Sequence, residues 1–180
     1  MNHTQTKAEL RQLIRQQLRS LSPEDEMRWS AEVIRKVEQH EAFVKASTVL
    51  LYHALPHEVD TQPLLDRWHK KKQLLLPVVV GNELELRIYT GADCMQSGRF
   101  GIMEPQGPAF RLYDNISLVL VPGLVFDARG SRLGRGRGYY DRLLPRLPHA
   151  RRIALCFPCQ LIARVPTESH DIRMDEVICR

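Results

Sequence analysis

The sequence predicts an α/β protein, a three-layer α/β/α sandwich built on a mainly parallel sheet. Two observations lead there. Short apolar, partly β-branched runs recur along the 180-residue chain, each of a length that suits a buried strand. Segments of helical period precede and separate them, and strands alternating with helices build a sheet covered on both faces.

In chain order, residues 6–21 read as an amphipathic helix. Leu10, Leu13, Ile14 and Leu18 share one face, and much of the other face is Lys and Arg. A second helix opens at Ser22-Pro23-Glu24-Asp25. Ser22 is the cap, Pro23 suits the first turn, and the two acids suit the positive end of the helix dipole. This helix carries Val33, Ile34 and Val37 and ends near His40. Residues 48–53 are a buried strand, 61–70 a helix and 73–80 another buried strand. Residues 83–89 alternate like a half-exposed strand, and 116–121 are buried again. A glycine- and arginine-rich loop comes next, then a helix over 139–147 and a strand over 153–157. Residues 105–108 are a loop. No repeat, low-complexity tract or linker divides the chain, so residues 1–180 are expected to form one domain, with helices 6–40 packing on the α/β core.

Hydrophobic residues make up 43% and charged residues 26%, ordinary for a soluble globular protein. No apolar run is long enough to span a bilayer, and the polar N-terminus has no secretory signal core. The four scattered cysteines fit a reduced, cytoplasmic chain. Cys156 and Cys159 have redox-motif spacing, but they follow a strand and a turn-forming Pro158 rather than opening a helix, which disfavours a redox or zinc role. The net charge of +5 suits an anionic partner: nucleic acid, phosphates or a polycarboxylate.

The positive charge concentrates in the segment 122–142. Five of the ten glycines lie between Gly123 and Gly138, and five arginines between Arg129 and Arg142. Glycines let backbone approach a ligand, successive N–H groups can form an anion nest, and arginines supply forked donors. Asp141 is suited to hold Mg²⁺ against phosphate oxygens. The spacing is neither that of a Walker A loop nor of a Rossmann fingerprint. Pattern alone leaves two readings: a phosphate cradle, or a flexible RNA-binding segment. The flanking strand and helix, the aromatic pair Tyr139-Tyr140 and the acid favour the cradle.

The same segment resembles the 5-formyltetrahydrofolate cyclo-ligases, also called methenyltetrahydrofolate synthetases. Their hallmark is Pro-Gly, then Phe-Asp, then Gly-x-Arg-Leu-Gly-x-Gly-x-Gly-Tyr-Tyr-Asp, and this chain carries all of it from Pro122 to Asp141. Lys7-Ala-Glu-Leu10-Arg11, Glu58-Val-Asp60-Thr61, Phe100-Gly101-Ile102-Met-Glu104-Pro105 and Val165-Pro166 through His170-Asp171 to Asp175 resemble further family segments. The chain departs from the family after Pro77, where a basic residue is often found, at Phe100, where some members have Trp, and at its Cys179-Arg180 ending.

The resemblance implies a reaction and a set of roles. ATP and 5-formyltetrahydrofolate would yield 5,10-methenyltetrahydrofolate, ADP and phosphate, with the formyl oxygen phosphorylated and N10 closing the ring. Gly134, Gly136, Gly138, Tyr139 and Tyr140 would cradle ATP, with Lys7, Arg11 and Arg132 reaching the nucleotide. Arg135 and Arg137 would bind ATP and be the catalytic pair. Glu58 would receive the pterin N–H groups, and Phe100 and Tyr140 would offer flat faces to the folate. Asp141 and Asp171 would ligate Mg²⁺, with Asp175 a third acid of undecided role. The implied partners are small molecules, with no nucleic acid or membrane, and the chain is expected to be monomeric. Asp141 is expected to serve chemistry more than the core, and the Arg135 side chain to be dispensable for packing. Asp127, just after a strand, is expected to fix the loop, and His170 to be ordinary loop packing. A basic RNA-binding protein and another ATP-dependent ligase on a related scaffold are the alternatives. The first would tolerate loss of Asp141, and the second would not need Glu58.

Overall fold

The protein, described here by a computed structural model over residues 5–98 and 103–180, opens with two amphipathic helices. In α1 (Lys7–Arg19), Thr6 and Glu9 form a reciprocal capping box, and Leu10, Ile14 and Leu18 make one buried stripe. In α2 (Pro23–Gln39), the Ser22 hydroxyl accepts the Asp25 N–H at 3.1 Å, and Val33, Ile34 and Val37 are buried. A short α3 (Glu41–Lys45), capped by the His40 ring, leads to β1 (Thr48–Leu50). Then come α4 (Gln62–Trp68), β2 (Gln73–Val80) and β3 (Glu83–Tyr89). A small antiparallel pair is next, β4 (Met95–Ser97) and β5 (Met103–Pro105), and then β6 (Leu118–Val121).

The stretch expected to be a single loop contains β7 (Val125–Asp127) and β8 (Arg132–Leu133). Two or three residues are too few for an alternating pattern to show. α5 (Tyr139–Leu143) is shorter than the helix expected over 139–147. Pro145 has no N–H to donate to the carbonyl four residues back, and the chain tightens into a 3₁₀ turn at Leu144–Arg146. The chain ends through β9 (Arg151–Cys156), β10 (Leu161–Ile162) and β11 (Glu176–Cys179).

The main sheet has the order β11-β9-β6-β1-β2-β3, parallel throughout except for β3, which returns antiparallel along the β2 edge. Alternating side chains of β2 and β6 divide between two cores. Leu74, Leu76, Leu118 and Leu120 pack under α1 to α4. Leu75, Val119 and Val121 face the other way, toward Leu143, Leu144 and Leu147. The three expected layers are present, but unequal: four helices on one face, and α5 with turns on the other.

A second sheet, β10-β7-β8, packs beside α1. Asp127 fixes it, as expected of that residue. Its Oδ1 accepts the N–H groups of Arg129 and Ser131, and its Oδ2 accepts that of Val165. These bonds pull the carboxyl below the ordinary range despite its burial. Gly130 turns here at φ +80°, with the Met174 carbonyl where a Cβ would stand.

Candidate active site

The strands of a parallel sheet share one carboxyl edge, so the segments leaving that edge lie side by side. β1 runs into Tyr52 and His53, and β6 into Pro122 and Gly123. All four line a cavity of about 760 Å³, a size that suits small organic ligands. The start of α1, the turn at 55–58, the loop at 132–141, the segment at 168–171 and residues of β2, β3 and β5 contribute its other walls.

The arginine–glycine loop is held from outside by α1. Arg11 Nε donates to the Gly134 carbonyl at 2.9 Å, and Arg15 Nη2 to that of Arg135 at 3.5 Å. Gly136, at φ +108°, lies against the Arg11 guanidinium, a backbone conformation that a side chain would strain.

Three ion pairs then cross the cavity wall. Arg132 Nη2 meets Asp141 Oδ1 at 2.7 Å, Lys7 Nζ meets Asp171 Oδ2 at 2.7 Å, and Arg135 Nε meets Glu58 Oε1 at 3.0 Å. Arg132 and Glu58 are deeply buried, with side chains only 4% and 7% exposed. Lys7 also reaches Glu168 at 3.5 Å.

Burial pushes the Glu58 carboxyl up, and neither Arg135 nor the Leu55 N–H bound to it fully offsets this. Asp171 is pushed up by burial too, but the Lys7 ammonium and the Glu168 N–H outweigh that and leave it low. Burial raises the Tyr140 phenol, with the Glu58 charge adding to it, and lowers His53. The Tyr140 hydroxyl and Arg132 Nε are buried with no hydrogen-bond partner among the described residues, and the Arg132 guanidinium lies 5.7 Å from the centre of the Tyr140 ring.

Nearly all of the sequence-predicted site residues converge here. Lys7, Arg11, Glu58, Arg132, Gly134 and Arg135 line the cavity, as do Gly136, Arg137, Gly138, Tyr139, Tyr140, Asp141 and Asp171. Phe100 lies outside the described residues. Asp175 stands at the amino end of β11, where its carboxylate accepts from the Arg152 N–H and guanidinium.

Two expectations need revision. Asp141 is the counter-charge of a buried arginine, so it serves the fold as well as lining the cavity. Arg135 is the ion partner of Glu58 and donates to the Pro56 carbonyl at 3.3 Å, so its side chain does hold structure together. Sequence reasoning gave no role to several cavity residues, among them Tyr52, His53, Glu104 and Glu168. The first two carry a positional signal, since they come directly after a buried parallel strand. Glu104 and Glu168 sit in segments already matched to the family.

The sequence profile of the 5-formyltetrahydrofolate cyclo-ligase family matches residues 3–180. The chain belongs to that family of enzymes. It is 30% identical to the 5-formyltetrahydrofolate cyclo-ligase of Escherichia coli (strain K12), over 92% of this chain and 96% of that one. It is 28% identical to that of Mus musculus, over 94% and 91%. The NMR structure of Aquifex aeolicus 5,10-methenyltetrahydrofolate synthetase superimposes with a TM-score of 0.87 at 37% identity, covering 96% of this chain and 89% of that one.

Donor chemistry is compatible with magnesium at this site. Mg²⁺ takes oxygen ligands and commonly uses one or two carboxylates together with phosphates and water. Asp141 and Asp171 line one cavity, and each has one oxygen held by a cation and a second oxygen outside that pair. No group of three metal-binding side chains occurs among the described residues, so a divalent ion would need oxygens from a ligand as well.

Proposed function

We propose that this chain is a 5-formyltetrahydrofolate cyclo-ligase that consumes ATP with Mg²⁺ and releases 5,10-methenyltetrahydrofolate, ADP and phosphate. The observation that carries the reading is the Arg135–Glu58 pair. It joins a glycine-rich, arginine-rich loop fit for phosphates to a buried carboxylate fit for a ring with N–H donors, inside one cavity.

A formyl group on nitrogen is an amide, whose oxygen leaves poorly. Transfer of the γ-phosphoryl group to that oxygen makes it part of a phosphate leaving group. N10 attacks the formyl carbon, the C–N10 bond forms as the C–O bond breaks, and phosphate departs while the N10 proton is released to phosphate or water. The protein's work is then positioning and charge stabilisation. Glu58 accepts hydrogen bonds from the pterin. Arg135, freed from Glu58 as the ligand takes over that carboxylate, turns to the transferring group, with Arg137 beside it. The Lys7, Arg11 and Arg132 cations balance the polyphosphate, and Gly134 to Tyr140 supply close backbone and ring surfaces. Asp141 and Asp171 would hold Mg²⁺, which supplies neutralisation of phosphate charge. The pairings with Arg135 and Asp141 compensate the buried charges of Glu58 and Arg132, which would be costly to leave unpaired.

The whole chain is read as one catalytic domain acting on small molecules as a monomer. No helix among the described residues is long and apolar enough to cross a membrane.

The test is a continuous absorbance assay for methenyltetrahydrofolate with purified enzyme. Product should appear only with 5-formyltetrahydrofolate, ATP and Mg²⁺ together, with ADP in equal amount, and EDTA should stop it. Product formed without ATP, or ATP hydrolysed with no folate product, would refute the reading.

A further inference from the structure

His57 is the one non-glycine residue with positive φ among the described residues, at 66°. That conformation costs an L-residue free energy and persists only where the surroundings impose it. The turn containing it is closed by the Glu58 N–H donating to the Leu55 carbonyl at 3.0 Å, and the Glu58 carboxylate accepts the Leu55 N–H in return. The left-handed residue therefore sits directly before the carboxylate that faces the cavity.

Two anchors hold the turn from opposite sides. From the cavity, Arg135 bonds Glu58 and the Pro56 carbonyl. From behind, α2 presents Glu26 and Ser30, one helical turn apart on one face. The His57 ring, through Nδ1, bonds Glu26 Oε1 at 2.6 Å, and the Ser30 hydroxyl accepts the Asp60 N–H at 3.0 Å. The first anchor is the one a substrate would dissolve, because Arg135 is needed elsewhere once phosphates arrive. The α2 anchor then remains, together with the turn's own Leu55–Glu58 bonds, to hold Glu58 in place.

We infer that the His57–Glu26 pair is a positioning device for the substrate-binding carboxylate, keeping the 55–58 turn wound when Arg135 leaves it. His57 and Glu26 do not touch the reacting groups. The pair is partly exposed, with side chains 38% and 24% accessible, so it adds little to global stability. Its effect falls on the folate side of the site and spares the nucleotide side. The inference rests on the reading of Glu58 as the folate carboxylate.

The experiment is steady-state kinetics on the full chain, with 5-formyltetrahydrofolate and ATP varied in turn, for His57→Gly, Glu26→Ala, their combination and Glu58→Gln. Glycine accepts the positive φ without strain, so His57→Gly removes the ring's bond to Glu26 and leaves the Ser30–Asp60 bond in place. His57→Gly and Glu26→Ala should each raise the folate KM roughly tenfold, within the range that a small misplacement brings. The ATP KM and the melting temperature should hardly move. The combination should be no worse than either single change, since both remove one contact. An unchanged folate KM in His57→Gly, while Glu58→Gln raises it, would overturn the inference and leave the role of Glu58 standing. A parallel rise in both KM values with a lower melting temperature would reduce the pair to a structural contact and also overturn it. An unchanged folate KM in Glu58→Gln would remove the reading of Glu58 itself, and the inference with it.

Discussion

The two edges of the main sheet carry the same kind of ion pair in opposite settings. At the amino edge, Arg152 holds Asp175 at 3.0 Å, and Glu176 takes Arg151 at 2.9 Å and His40 at 3.1 Å. Apart from His40, these groups are a third to a half exposed, and such pairs are worth little beyond tying strand ends together. At the carboxyl edge, Arg132, Glu58 and Asp171 are nearly or largely out of solvent. Burying a pair costs desolvation that its attraction only just repays, and an apolar pair would serve stability as well. We read charge kept in such a place as charge kept for a ligand. Asp141 and Asp171 line the cavity and Asp175 does not, although all three are paired with a cation.

The hardest test of this contrast is Asp141→Asn. It removes the anion available to a metal and the counter-charge of Arg132, while leaving an oxygen to accept a hydrogen bond. Turnover should fall almost to nothing, and stability by about 1–3 kcal/mol, read by denaturant unfolding. Normal turnover at saturating Mg²⁺ would end the metal role.

Arg135→Lys should have the next largest effect. One charge remains, but the planar fork is lost. We expect kcat to drop on the order of 10²-fold, with a smaller rise in the ATP KM. A higher KM at unchanged kcat would mean that Arg135 only helps hold substrates.

Asp175→Asn, at the other edge, should leave turnover close to that of the parent and cost at most about 1 kcal/mol of stability. Burial raises the Asp175 carboxyl, but the Arg152 guanidinium and N–H outweigh it, so the folded-state value lies below the unfolded one. A depressed carboxyl contributes stability above its unfolded pKa of about 3.9 and loses it as pH falls through the folded value. The parent's advantage over Asp175→Asn should therefore be full at neutral pH and fade on acidification below about pH 4. Comparing urea midpoints at pH 7 and pH 3 checks the sign, and a large loss of turnover would contradict the division between edges.

How much of this was legible in the chain depends on the range of the interactions involved. The helices of residues 6–40, the Ser22 cap, β2 and β3 arise from local signals that act within one or two turns or along one strand. The glycine–arginine segment announced an anion site and, by its resemblance to a known family, a reaction. The halt of the last helix at Pro145 is equally local, although helical periodicity alone carries the expected helix past it. Other features required the folded chain. Strands of two or three residues, such as β7 and β8, owe their form to partners far along the sequence. The ion pairs Lys7–Asp171 and Glu58–Arg135 join residues 164 and 77 positions apart, and no local pattern encodes such distances. The same holds for the left-handed turn at His57, whose ring bonds Glu26 of α2. Sequence by itself determined which groups could do the chemistry, because residue type and spacing set donors, charges and backbone freedom. Tertiary structure decided which of them are withdrawn from water and face one another, because burial and long-range pairing arise only when distant segments pack.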